Sequence, residues 1–146
     1  MNLVFSSHVP SQCRSALEDL LFFNPEQYRV REGIINSLEQ FGHPRLEESA
    51  GAVSVRVGDH EAQTLFAYDR DRSAAEPIGV VVFLRTAPAD IAIIHVAVHP
   101  DYALQGRHGG VGLGAMLFEK VREIAARIVG VQRIVFFYRQ EVVIRL

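Results

Sequence analysis

The run Val96-Ala97-Val98-His99-Pro100-Asp101-Tyr102 leads into Gln105-Gly106-Arg107-His108-Gly109-Gly110-Val111-Gly112-Leu113-Gly114-Ala115-Met116-Leu117, and five glycines fall within the nine positions 106–114. A pyrophosphate needs several backbone N–H groups pointing one way, with no Cβ atoms obstructing approach. A glycine-rich turn running into a helix N-terminus supplies both, and the helix dipole adds attraction for negative charge. Gly106, Gly109, Gly110, Gly112 and Gly114 are the candidate backbone ligands, and Gln105 and Arg107 flank them. The guanidinium of Arg107 can hold a phosphate oxygen or sit solvated on a loop. Other phosphate motifs fit less well. Gly110-Val111-Gly112-Leu113-Gly114 lacks the G-x-G-x-x-G spacing, and no Gly-Lys-Ser/Thr is present. The plainer alternative is a flexible turn with no ligand.

The elements that must position this turn are legible on both sides of it. Ile78 to Arg85 and Ile91 to Val98 are apolar and β-prone, so they read as strands buried on both faces, joined by Thr86 to Asp90. Leu113, Leu117, Val121, Ile124 and Ile128 form a helical stripe opposite Glu119, Lys120, Arg122, Glu123 and Arg127, and Gly130 can end that helix. Val131 to Tyr138 is a further strand. Strand, helix and strand at this spacing make a right-handed crossover with parallel strands. Upstream, Asn2 to Ser6 reads as a strand and Ser11 to Phe22 as a helix. A second helix starts at Asn24 as N-cap with Pro25 following, carries Val30, Ile34, Leu38 and Phe41, and stops at Gly42. Val53, Val55 and Val57 mark a half-buried strand, Gly58-Asp59 a turn, Thr64 to Tyr68 another strand, and Asp69 to Glu76 a loop.

The turn resembles the acetyl-CoA signature of the GNAT (general N-acetyltransferase) superfamily. That signature is a strand ending Leu/Val-x-Val-x-Pro, a Gln/Arg-x-x-Gly-x-Gly/Ala turn, and a leucine three residues on. Removing His108 to Val111 leaves Gln105-Gly106-Arg107-Gly112-Leu113-Gly114-Ala115-Met116-Leu117, which matches closely. Glu76-Pro77-Ile78-Gly79-Val80 resembles the family's preceding strand start, and the order of elements over residues 1 to 138 is also the family's. The turn is about four residues longer than the pattern, so the contacting glycines stay open. The family normally continues with a further helix and two strands, whereas this chain has eight residues after Tyr138. The implied fold is a single α/β domain over residues 1–146, with a mixed sheet: a C-terminally abbreviated GNAT-like acyl-CoA N-acyltransferase fold.

The resemblance implies acetyl transfer from acetyl-CoA, as cosubstrate, to a primary amine of a small molecule or protein. The family's strand before the turn splays from its parallel neighbour and pairs with pantetheine, a role that maps to Val96 and Val98. Tyr138, at the end of the strand after the helix, is the candidate acid for the thiolate, or merely an aromatic covering a sheet end. His95 is the candidate base, or a core histidine. It faces opposite to Val96 and Val98 unless a bulge intervenes, and the family's strand-borne bases share the parity of Val96, which falls here on apolar Ala92 and Ile94. The alternative function is a non-catalytic acetyl-CoA sensor or interaction domain of the same fold.

Composition bounds the rest. The 146 residues fit one domain, with 49% hydrophobic and 22% charged residues. A net charge of -2 gives no basic field for nucleic acid. Cys13, the one cysteine, points to a reducing cytoplasm, and no apolar run approaches the ~20 residues that span a bilayer. No basic-then-apolar leader opens the chain. His8, His43, His60, His95, His99 and His108 are scattered, so no metal is expected. Val131 to Leu146 is β-prone nearly throughout, and a homodimer joined through that edge is expected unless Glu141 to Leu146 folds back on its own sheet.

Overall fold

The computed structural model describes residues 2–24, 38–103, 106–136 and 142–146. Strands β1 (Leu3–Ser6), β5 (Gln63–Asp69), β6 (Gly79–Ala87), β7 (Asp90–Val98), β8 (Arg133–Phe136) and β9 (Val142–Arg145) form one six-stranded sheet in the order β1-β5-β6-β7-β8-β9. Every neighbouring pair is antiparallel except β7 and β8. Helix α1 (Arg14–Phe22), entered through a 3-10 turn at Ser11–Cys13, covers one face, and helix α2 (Leu113–Ala126) covers the other. A second, three-stranded sheet of β2 (Pro44–Ser49), β3 (Ala52–Val57) and β4 (His60–Glu61) backs α1. The architecture is mixed α/β, as expected.

Each face is an apolar cluster. Leu17, Leu20 and Leu21 of α1 meet Phe66, Val80, Val82, Ile94 and Ala97, with Val53, Val55 and Val57 of β3 beyond them. On the other face Leu113, Leu117, Val121 and Ala125 of α2 meet Ala67, Val81, Phe83, Ile91, Ile93 and Ile134. Gly79 lets α2 come close: a Cβ there would stand 3.0 Å from Leu117 Cδ1 and 3.2 Å from Leu113 Cδ2. The crossover β7-α2-β8 brings parallel strands together as the sequence implied.

Several expectations are corrected. The connection between β6 and β7 is only the turn Pro88–Ala89, because pairing extends to Ala87↔Asp90. Helix α2 ends at Ala126, with Arg127 as its cap, and Gly130 (φ +89°) belongs to the turn beyond. The tract from Val131 is not one strand: β9 folds back antiparallel on β8, pairing Arg133↔Arg145 through Phe136↔Val142. The fold-back alternative therefore describes this end, and β9 rather than β8 is the sheet edge. The second helix falls mostly outside the described residues. Its last turn, 38–41, is helical and closes on Gly42, whose N–H donates to Leu38 O at 2.9 Å with φ +94°.

Candidate acyl-CoA site

Strand β7 changes character at a bulge. Phe83 pairs with Ile93 and Val82 with His95, so Ile94 is an extra residue. A bulge shifts side-chain parity. Before it, Ile91 and Ile93 face α2. After it, Val96 and Val98 face α2, while Ala92, Ile94 and Ala97 face the other way. The expectation that Ala92 and Ile94 share the face of Val96 is therefore wrong.

His95 lies opposite Val82 on the α1 side and is 6% exposed. Burial pushes its imidazole down to about 4, against a hydrogen bond with the Leu21 backbone that favours the charged form. A ring neutral down to that pH is a weak acceptor for an ammonium proton. The chain places this residue as a core histidine under α1. Tyr138 and Gln105, the other acid and flank candidates, lie outside the described residues.

Beyond Ile93 the parallel ladder with β8 stops at Ile93↔Phe136 among the described residues. His99 N–H donates to Ile78 O at 2.7 Å on the β6 side. Backbone groups alternate between the two edges of a strand, so those of Val96 and Val98 point to the β8 side. Asn24 confirms this for one of them, since its Nδ2 donates to Val98 O at 2.7 Å. Among the described residues no strand pairs with Val96 or Val98 on that side, and the Asn24 amide takes Val98 O.

The turn continues from that edge. Two 3-10 turns, Pro100–Tyr102 and Gly109–Val111, coil the lengthened segment. Gly112 (φ +68°, ψ 46°) is the left-handed N-cap of α2 and carries no side-chain cap. Met116 N–H donates to Gly112 O at 3.0 Å, so the amides of Leu113, Gly114 and Ala115 precede the first intrahelical bond. No acidic residue stands in that first turn. A Cβ on Gly110 or Gly112 would meet nothing within 4 Å, and one on Gly114 only Val98 Cγ2 at 4.0 Å. Gly106 is different: its Cβ would collide with Pro100 O and Asp101 O. Gly106 and buried Gly109 build the turn, while Gly110, Gly112 and Gly114 border open space. Arg107 is exposed beside them.

The sequence did not single out the side chains around this edge. A cavity of about 210 Å³ opens between α1 and the end of β7, lined by Asp19, Phe23, Asn24, Arg72, Glu76 and His99 among others. Asn24 was read only as a helix cap. His99 Nδ1 accepts from the Asp101 N–H at 3.1 Å, which leaves Nε2 to carry the proton of the neutral ring. Burial and Arg72 push that imidazole below its usual value. Only the pairing of His99 with Pro100, which starts the 3-10 turn, hinted at its place.

No family model and no curated protein matches the chain. Solved GNAT acetyltransferases do match. The IAA acetyltransferase from Bacillus cereus ATCC 14579 has 20% identity and a TM-score of 0.46 over 92% of this chain and 65% of its own. Nourseothricin acetyltransferase has 15% identity and a TM-score of 0.49 over 93% and 73%. The GNAT family acetyltransferase from Elizabethkingia anophelis with acetyl-CoA bound has 15% identity and a TM-score of 0.43 over 92% and 64%. The chain spans about two thirds of the length of these proteins. At such values the likeness assigns no residue role, and the functional reading rests on the strand edge and turn themselves. Among the described residues no three His, Cys, Asp or Glu side chains gather to hold a metal ion, and no helix is long and apolar enough to cross a membrane.

Proposed function

We propose that the chain binds acetyl-CoA and transfers its acetyl group to an amine. The observation that carries this reading is the continuity of the β7 backbone edge at Val96 and Val98, which no described strand covers and where Asn24 holds Val98 O, with an unobstructed glycine turn at a helix N-terminus. A pantetheine arm, which is an extended chain bearing amides, pairs with such an edge as an added strand does. Its pyrophosphate then meets the amides at the start of α2. The amine nitrogen attacks the thioester carbonyl and the C–N bond forms. The C–S bond breaks, the nitrogen gives up a proton to become the amide, and the thiolate takes up one in its place. The N–H of Val96 suits the oxyanion that develops in between, since it is fixed in place before reaction. Asp19 and Glu76 in the adjoining cavity suit an acceptor that arrives as a cation.

Acetyl-CoA at about 100 times its dissociation constant should add roughly 2.7 kcal/mol of stability, read as an upward shift in a thermal melt. No shift at large excess rejects the reading. Thiol release from acetyl-CoA over an amine panel then tests transfer. One observation favours a second reading, a binding domain without turnover: His95, the strand-borne base candidate, is buried with its imidazole down at about 4. A melt shift without thiol release on any amine selects it.

A further inference from the structure

The lengthened turn is wound around one side chain. Tyr102 is 2% exposed, and its hydroxyl donates to Asp69 Oδ2 at 2.5 Å. Asp69 Oδ1 in turn accepts from the N–H of Asn2 at 3.2 Å and of Asp71 at 3.0 Å. The His108 ring lies against Tyr102, with centroids 4.9 Å apart and planes inclined by 34°. The Arg72 guanidinium stands 5.9 Å from the Tyr102 ring centre and 3.6 Å from Asp101 Oδ2. The main chain closes the same knot. His108 N–H donates to Asp101 O at 2.6 Å, Gly109 N–H to Gly106 O at 3.1 Å, and Gly112 N–H to Gly109 O at 3.3 Å.

A segment this rich in glycine loses more conformational freedom on ordering than any other. Left to itself it would order only when ligand arrives, and the ordering would weaken affinity. The segment is nonetheless coiled, and its amides reach α2 with open space at Gly110 and Gly112. Among the described residues between β7 and α2, the fully buried side chain that reaches another part of the sheet is Tyr102, through the end of β5. We propose that Tyr102, tied to Asp69 and stacked on His108, is the positioning residue of the anion-binding turn. It touches no phosphate; it sets the direction of the amides that do. The proposal rests on the acyl-CoA reading for its ligand.

The test compares Tyr102→Phe, which keeps the ring and loses the tether to Asp69, with Val55→Ala. Val55 is fully buried on the opposite face of the sheet, away from the turn. Binding of acetyl-CoA is measured by calorimetry on the full chain, and amide hydrogen exchange is followed at Gly109 and Gly112. Tyr102→Phe should weaken acetyl-CoA about tenfold by loss of preorganisation. It should speed exchange in the turn, while Val55→Ala lowers the melting temperature and leaves both readings near wild type. If the chain turns over, the loss falls on KM for acetyl-CoA and leaves kcat unchanged. Wild-type affinity in Tyr102→Phe overturns the proposal, as does an equal loss in Val55→Ala. A wild-type chain that binds no acetyl-CoA rejects the acyl-CoA reading instead. The exchange arm then decides alone: unchanged protection of the turn in Tyr102→Phe overturns the positioning role, and selective loss upholds it.

Discussion

Among the described residues of β7 and its neighbours, Ile91 to Ile93 pair with a strand on each side, whereas Val96 to Val98 have β6 on one side and the Asn24 amide on the other. Both halves are apolar, and both face α2 with branched side chains. What separates them is backbone: the bulge at Ile94 and, among the described residues, the last rung of the β7–β8 ladder at Ile93↔Phe136. The candidate site is therefore made by main-chain groups that one half pairs with β8 and the other, among the described residues, pairs with no strand on that side. A search for chemistry among side chains misses this. It settles on His95, which is a core residue beside the edge.

The largest way to sharpen the contrast is to truncate a side chain in each half. Ile93 is fully buried, so Ile93→Ala should cost about 2–5 kcal/mol of stability. Val98 is only half-buried, and Val98→Ala should cost about 1 kcal/mol. Urea denaturation at neutral pH reads both. Equal losses would mean that the two halves are held alike.

The bulge supplies the next prediction. The unfolded imidazole of His95 titrates near 6.5 and the folded one near 4. Between those values the unfolded chain binds a proton that the folded chain does not. Stability is thus fully present above pH 6.5 and falls as pH drops toward 4, by about 3 kcal/mol from this group. Denaturation curves at half-unit pH steps should show the fall, and His95→Gln should flatten it. A variant that loses stability in parallel with the wild type over that window would place the titration elsewhere.

The regular parts of this arrangement were written in period and spacing. β6, β7 and α2 carry dense apolar patterns, and the structure puts them where the pattern says, with β7 and β8 parallel across α2. Three features were not legible. β2 has only Leu46 buried among Pro44, Arg45, Glu47, Glu48 and Ser49, so no alternation announces it. Its turn to β3 uses Ala50 and Gly51 at φ +51° and +78°, where Asn-Gly is the usual signal. The bulge at Ile94 replaces one apolar residue by another, so periodicity cannot reveal it. β8 and β9 both fall in a tract that is β-prone over nearly its whole length, and propensity alone does not separate them into two strands. The glycine cluster was legible as a turn. The division between Gly106, which a collision requires, and Gly112, which open space permits, follows only from contacts.

That division can be broken at Gly112. Its φ of +68° means that Gly112→Val carries roughly 1–2 kcal/mol of strain, while the space around its Cβ means no clash follows. The variant should stay folded by circular dichroism and lose acetyl-CoA binding, because a side chain now stands over the helix N-terminus. Retained affinity would move the phosphate contacts to the Gly106–Gly110 half of the turn.

The smallest expected effect is the most discriminating, because its two readouts have opposite signs. Gly114 sits in the first turn of α2, and its φ is not among the positive ones. A Cβ there approaches only Val98 Cγ2, at an ordinary 4.0 Å. Gly114→Ala therefore removes a poor helix former without creating a clash, and stability should rise by about 0.5 kcal/mol. The same methyl projects beside the Val98 side chain at the start of α2, where the ligand chain would reach the amides of Leu113 to Ala115. Acetyl-CoA affinity should fall as the melting temperature climbs. Purely structural glycine at this position predicts that both move together, or that binding stays put while stability rises. Paired melts with and without acetyl-CoA separate these outcomes in one experiment. A stabilised variant with an undiminished ligand-induced shift would take Gly114 out of the phosphate path.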